Sequence, residues 1–315
     1  MNDAGGLSLG VATGLLAALA SAISYLVSRH HGNRAGGGSL RLLVLGHAVM
    51  GLACLPLVWL SAPAAWPSRP AAWLGPLVGS VACYLAGQGA VFAALKRVAA
   101  SRLAPLLGLK LVMLAALVSL GPGPGLDLRQ WAAVGLTVIA AGMLQRGGAV
   151  SPWALGIVLA ACLSFAVSDL FIIRLIDALG LARDAAGEPI SRLRAGGLAM
   201  AVTYVACGGA ALAAMAVGPR LRPRNRHDLF AAGQYAAAWL VGMVALYACF
   251  GLVGAVFGNV LQATRGVMAV VIGAGLARAG WHDLEERVDR ATFLRRVAAA
   301  LLMVVAIAVY LRELS

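Results

Sequence analysis

The chain has 315 residues, of which 61% are apolar and 12% charged, with 25 Lys and Arg against 12 Asp and Glu. Soluble domains run at about 45–50% apolar and about 25% charged, so this composition excludes both an ordinary soluble enzyme and a disordered chain. With a mean hydropathy of +0.88 and a net charge of +13, the chain must place many cations where a membrane tolerates them.

Ten apolar runs follow in order, at about 10–28, 42–60, 73–95, 99–120, 130–146, 153–174, 195–217, 229–250, 254–277 and 295–311. Each is close to the ~20 residues that span a bilayer as a helix. The first is preceded by Met1–Leu9, which carries no Lys or Arg, so it reads as a retained helix and not a signal peptide. Trp59, Trp73, Trp131, Trp153 and Trp281 sit near run ends, where interfacial aromatics collect. The turns are rich in breakers: Ala62-Pro63, the Gly121–Gly125 Gly-Pro run, and Gly218-Pro219. The Gly-Pro run has no following Lys-Ser/Thr and is a stiff turn, not a phosphate loop.

The second half echoes the first. Ala22–Leu26 (AISYL) parallels Ala166–Leu170 (AVSDL), and Lys110–Met113 (KLVM) parallels Arg265–Met268 (RGVM). Five helices per half is an odd number, so the halves enter the membrane from opposite sides. The predicted fold is therefore all-α and polytopic, with ten transmembrane helices in two inverted five-helix repeats, residues 1–150 and 151–315, forming one integral membrane unit. Loops after odd-numbered runs hold 16 cations and the other loops with the C-terminus hold 7. The positive-inside rule then puts both termini outside. The basic Arg220–Arg226 segment, beside two spanning runs, reads as an anchor to anionic lipid rather than a nucleic-acid site.

Ionisable side chains inside a span cost about 2.5–3.5 kcal/mol on insertion scales and so call for a reason. Lys110 falls mid-run in the fourth helix and Arg265 mid-run in the ninth, at equivalent positions of the two halves. Asp169 is the only acid within the ten runs, and His47 lies near the start of the second. Two cations and one carboxylate leave a net positive site, which suits a phosphate or carboxylate substrate. The competing reading is structural, with Asp169 paired to Lys110 or Arg174. Asp169 and His47 are candidates for proton coupling. Tyr84 and Gln88 share a face of the third helix, and Gln262 lies one turn before Arg265. These neutral groups either orient substrate or bond across helices. Gly254 and Gly258 are expected to serve close packing. Cys54, Cys83, Cys162, Cys207 and Cys249 have no metal-binding spacing and read as small buried hydrophobes. No catalytic motif, metal site or cofactor motif is visible.

Phe92–Leu106 (FAALKRVAASRLAPL) resembles the segment joining the third and fourth helices of EamA-type proteins in the drug/metabolite transporter superfamily. Gln130–Gly142 (QWAAVGLTVIAAG) resembles that family's fifth helix, and Gly258–Gln262 and Val297–Tyr310 resemble second copies. The resemblance implies ten helices, a central cavity and alternating access. Lys110 and Arg265 are also similar in place to the basic residues of the triose-phosphate and nucleotide-sugar branch, although Thr264 stands where phosphate translocators carry a Lys before the Arg.

The expected function is secondary active transport of a small anionic metabolite across the cytoplasmic membrane. Lys110, Arg265, Tyr84, Gln88 and Gln262 would bind it, with membrane lipid the other partner and a homodimer compatible with the pattern. The alternatives are a proton-coupled exporter of amino acids or drugs, a lipid-phosphate flippase, and a membrane scaffold whose buried cations are closed off by protein.

Overall fold

The computed structural model describes residues 4–34, 39–95, 107–121, 125–144, 152–278 and 290–311. The basic Lys96–Arg102 segment, Arg146, Arg287, Trp281, the centre of the Gly121–Gly125 turn and most of the Phe92–Leu106 resemblance lie outside the described residues. Eleven α-helices are described: α1 (Ala4–Arg34), α2 (Ser39–Ser61), α3 (Pro70–Leu95), α4 (Leu109–Leu120), α5 (Leu128–Leu144), α6 (Pro152–Leu179), α7 (Arg192–Val217), α8 (Arg226–Val253), α9 (Ala255–Ala263), α10 (Arg265–Arg278) and α11 (Arg290–Leu311). The chain is an all-helical integral membrane protein. Six of the described helices have stretches long and apolar enough to cross a bilayer, on α1, α2, α3, α6, α7 and α8. Shorter apolar stretches cover Leu109–Leu120, Leu128–Met143 and Val297–Tyr310.

Helix starts follow local chemistry. Ser191 Oγ accepts from the Arg194 backbone N–H at the start of α7, and Asn225 Oδ1 accepts from that of Asp228 at the start of α8. The ninth apolar run is not one helix. It begins at Gly254, whose φ of +80° suits only glycine, and it breaks at Thr264. There the Thr264 N–H and hydroxyl both donate to the Leu261 carbonyl, at 3.1 and 2.6 Å, which tightens the turn before α10 resumes at Arg265. Gly254 thus serves backbone conformation rather than packing. Gly258 does serve packing, because a Cβ there would lie 2.6 Å from the Phe250 ring.

The helices pair across the two halves: α3 along α6, α1 along α8, α2 along α7, and α5 along α11. α4 also packs on α6, while α1 packs on α9 and α10. The α2–α7 crossing is a close one. A Cβ on Gly51 would sit 2.6 Å from Gly208 Cα, and a Cβ on Gly208 would sit 2.6 Å from Gly51 Cα. Backbone therefore meets backbone, the packing that small residues permit in membranes. Outside the bilayer segments, Ala65 and Arg183 exchange two backbone hydrogen bonds of 3.2 and 2.9 Å, clasping the α2–α3 loop to the α6–α7 loop. Arg192 pairs with Asp177 beside this clasp. Cys54, Cys162, Cys207 and Cys249 are buried and Cys83 is half-buried.

Gly208→Leu should force α2 and α7 apart at a cost of at least about 1–3 kcal/mol, the usual range for overpacking. A neighbouring Cβ at Gly209 meets nothing within 4 Å. Thermal unfolding in detergent should show a clear loss for Gly208→Leu and little change for Gly209→Ala.

Candidate functional site

The helix pairs enclose a central cavity of about 110 Å³, counted as room for the centres of water-sized molecules. That is several waters' worth, since one water needs about 10–15 Å³ by this measure. Lys110, Arg265, Tyr84, Gln88, Gln262 and Asp169 all line it. The sequence-predicted site residues are thus brought to one place from α3, α4, α6, α9 and α10.

The two cations sit differently from a mid-helix reading. Lys110 lies in the first turn of α4, after a turn at Leu107-Gly108, and Arg265 opens α10 after the break at Thr264. Arg265 therefore follows a break between two helices, and Lys110 follows a turn. Their environments diverge. Lys110 Nζ lies 2.6 Å from Asp169 Oδ2. The same Asp169 oxygen accepts from Asn259 Nδ2 at 2.7 Å, and Asn259 Nδ2 also donates to the Ala255 carbonyl at 2.8 Å. Asp169 is buried, with its side chain 6% exposed against 20% for Lys110. The pair thus ties α4, α6 and α9 together. Arg174 takes no part; it lies over the Phe171 ring at 5.8 Å. Arg265 has no carboxylate within salt-bridge distance among the described residues. Its guanidinium stands 5.4 Å over the Tyr25 ring. With Lys110 and Asp169 cancelling, the described residues that line the cavity carry a net charge of +1, from Arg265.

His47 does not line the cavity but stands just behind it. Its Nδ1 lies 2.8 Å from the Leu43 carbonyl and its Nε2 lies 2.9 Å from the Tyr84 hydroxyl. Gln262 is 6% exposed, and its Oε1 has no hydrogen-bond partner among the described residues. Its Nε2 reaches Ser21 Oγ at 3.5 Å. Asp177, beyond the sixth apolar run, falls on α6 but at its exposed end.

Sequence reading missed most of the wall. Tyr25, Phe165, Tyr204, Trp239 and Tyr247 line the cavity, together with Asn259. One signal was available: Trp239 lies mid-span, where an interfacial role cannot explain it. The rings are seated by small partners. A Cβ on Gly87 would lie 2.7 Å from Phe165, and one on Gly46 would lie 2.4 Å from Tyr235, which packs on Trp239 at 5.8 Å.

Residues 8–146 match the EamA-like transporter family. No curated protein matches the chain. A solved structure, titled only as the crystal structure of a protein, aligns with a TM-score of 0.67 at 15% identity, covering 96% of each chain, and so shares the fold.

Removing one partner of a buried ion pair costs about 3–5 kcal/mol, because it strands the other charge. Asp169→Asn and Lys110→Met should each lower thermal stability markedly, while the double variant should recover most of the loss. A double-variant melting temperature no higher than that of either single variant would contradict the pairing.

Proposed function

We propose that the chain, whose residues 8–146 match the EamA-like transporter family of the drug/metabolite transporter superfamily, is a membrane transporter of small molecules and that its cargo is a small organic or phosphate anion. The observation that carries this is the charge of the cavity. Lys110 is balanced by Asp169, and Arg265 faces the cavity with an aromatic ring and no carboxylate. A monoanion at Arg265 would bring the site to neutrality. Arg265 supplies the fork of N–H donors, and the Lys110 ammonium keeps hydrogens beyond the one directed at Asp169. Tyr84, Gln88 and Gln262 orient the rest of the molecule. A scaffold would close off both cations with protein, and only Lys110 is so closed.

Transport proceeds by secondary alternating access between two inverted five-helix halves, residues 1–150 and 151–315, in the cytoplasmic membrane. The helix pairing supports this. Numbering the spans one to ten, with α9 and α10 together as the ninth, the four most extensive pairs are 3–6, 1–8, 2–7 and 5–10. Exchanging each span with the one five away maps this set onto itself. A two-fold relation between the halves has that property, and the site lies where they meet. The turn at Leu107-Gly108 and the break at Thr264 fall at the cavity, where irregular structure in a membrane is tolerated.

A second reading has one observation in its favour. Asp169 is the acid on which Lys110 and Asn259 both converge. A proton arriving there would release the Lys110 ammonium toward the cargo and link transport to a pH gradient.

Uptake of radiolabelled carboxylates and phosphate into liposomes tests the main reading. Arg265→Ala should abolish uptake while leaving the folded yield near that of the parent, and Arg265→Lys should keep a fraction of it. Undiminished uptake by Arg265→Ala would remove the anion site. Proton coupling predicts, in addition, uptake driven by an imposed pH gradient and uncoupled in Asp169→Asn.

A further inference from the structure

The sequence echo between the halves sets Ala22–Leu26 (AISYL) against Ala166–Leu170 (AVSDL), and Lys110–Met113 against Arg265–Met268. Tyr25 on α1 therefore corresponds to Asp169 on α6, and Lys110 on α4 corresponds to Arg265 on α10. The contacts follow the same correspondence. Lys110 Nζ lies 2.6 Å from Asp169 Oδ2, and the Arg265 guanidinium stands 5.4 Å over the Tyr25 ring. Each half thus contributes a cation that meets the matching residue of the other half. In one place that residue is a carboxylate, and in the other it is a ring.

The two partners hold a cation in different ways. A carboxylate cancels the charge and accepts hydrogen bonds from the N–H groups. An aromatic face attracts the cation through its quadrupole and brings no net charge. Arg265 makes no side-chain hydrogen bond or ion pair among the described residues, so its fork of N–H groups stays available. The ring itself is fixed. Tyr25 packs edge-on against Trp239 at 5.9 Å, and buried Trp239 donates from Nε1 to the Tyr204 hydroxyl at 2.8 Å. Tyr25 and Arg265 both line the cavity. Theirs is also the more open of the two places, since Tyr25 is 38% exposed and Asp169 4%.

We propose that Tyr25 is a positioning residue that sets the cavity's preference for anions: it occupies the place that Asp169 fills in the other half, holds Arg265 by its face, and leaves the guanidinium's charge and N–H groups to the cargo. With a carboxylate in that place, both cations would be balanced and the described lining residues would carry no net charge. One ring in place of an acid thus separates a binding cation from a structural one. The consequence for the cargo rests on the anion reading above; the correspondence of Tyr25 with Asp169 does not.

Tyr25→Phe, Tyr25→Leu and Tyr25→Asp in the full chain test this. Equilibrium binding of lactate in detergent should weaken in that order. Tyr25→Leu, which loses the ring, should bind about two- to fivefold more weakly than Tyr25→Phe, the range for an exposed cation–π contact. Tyr25→Asp should bind about tenfold or more below Tyr25→Phe, because the introduced carboxylate takes up the guanidinium. Tyr25→Asp binding as well as Tyr25→Leu, or Tyr25→Leu binding as well as Tyr25→Phe, would overturn the proposal. Thermal unfolding gives a readout that needs no anion. Arg265→Met should lower the melting temperature by several degrees in the Tyr25→Asp background, where it strands a carboxylate, and much less in the parent. An equal effect in the two backgrounds, or failure of Tyr25→Asp alone to fold, would overturn the correspondence. If the parent binds no lactate while the melting temperatures show this coupling, the anion reading fails and the correspondence of Tyr25 with Asp169 stands.

Discussion

The contact between Lys110 and Asp169 is the constraint on which the rest of the site depends. Each charge alone would be costly in the middle of a membrane, and together they are tolerable. Asp169 can be held only because Lys110 and Asn259 converge on one of its oxygens. Those three residues come from α4, α6 and α9, so the pair also fixes where elements of the two halves meet. By consuming one cation and the only carboxylate among the described residues that line the cavity, it leaves Arg265 as the charge that decides what the cavity prefers.

The neutral part of the cavity is built on the same plan of groups locked to one another across helices. Trp239 bonds Tyr204 across α8 and α7, and His47 meets Tyr84 across α2 and α3, satisfying polar groups that lipid could not. Close approach makes this possible. Gly51 and Gly208 let α2 and α7 touch, and Gly87 makes room for Phe165. The abundance of small residues in this sequence is therefore tied to the aromatic wall: rings fill the site because glycines stand behind them.

Much of this was legible in the sequence. Apolar runs of spanning length gave the all-helical membrane class, because a bilayer demands continuous backbone pairing. Lys110, Arg265 and Asp169 stood out because a charge in such a run is expensive. Tyr84, Gln88 and Gln262 were visible as polar groups near them. What escaped was partnership. Nothing in spacing chooses between Lys110 and Arg174 as the mate of Asp169, since the choice depends on how α4 lies against α6. Asn259 looked like one polar residue among many until its amide met Asp169. The break at Thr264 was hidden inside an unbroken apolar run, since threonine does not announce a break as proline does. Trp239 stood out only by its mid-span place, and nothing in the spacing marked Tyr204; the packing of α7 and α8 makes both of them wall.

The central claim is that the ion pair is internally balanced and that Arg265 holds the anion. Equilibrium binding of lactate to two variants tests it directly: Arg265→Met, and the combined Lys110→Met/Asp169→Asn change. A charge-assisted hydrogen bond is worth about 1.5–3 kcal/mol, or roughly 10- to 150-fold in affinity. The account predicts a loss of that size for Arg265→Met and a smaller loss for the neutralised pair, which gives up only the hydrogens that Lys110 spares from Asp169. Loss of binding in the neutralised pair, with Arg265→Met binding normally, would contradict it.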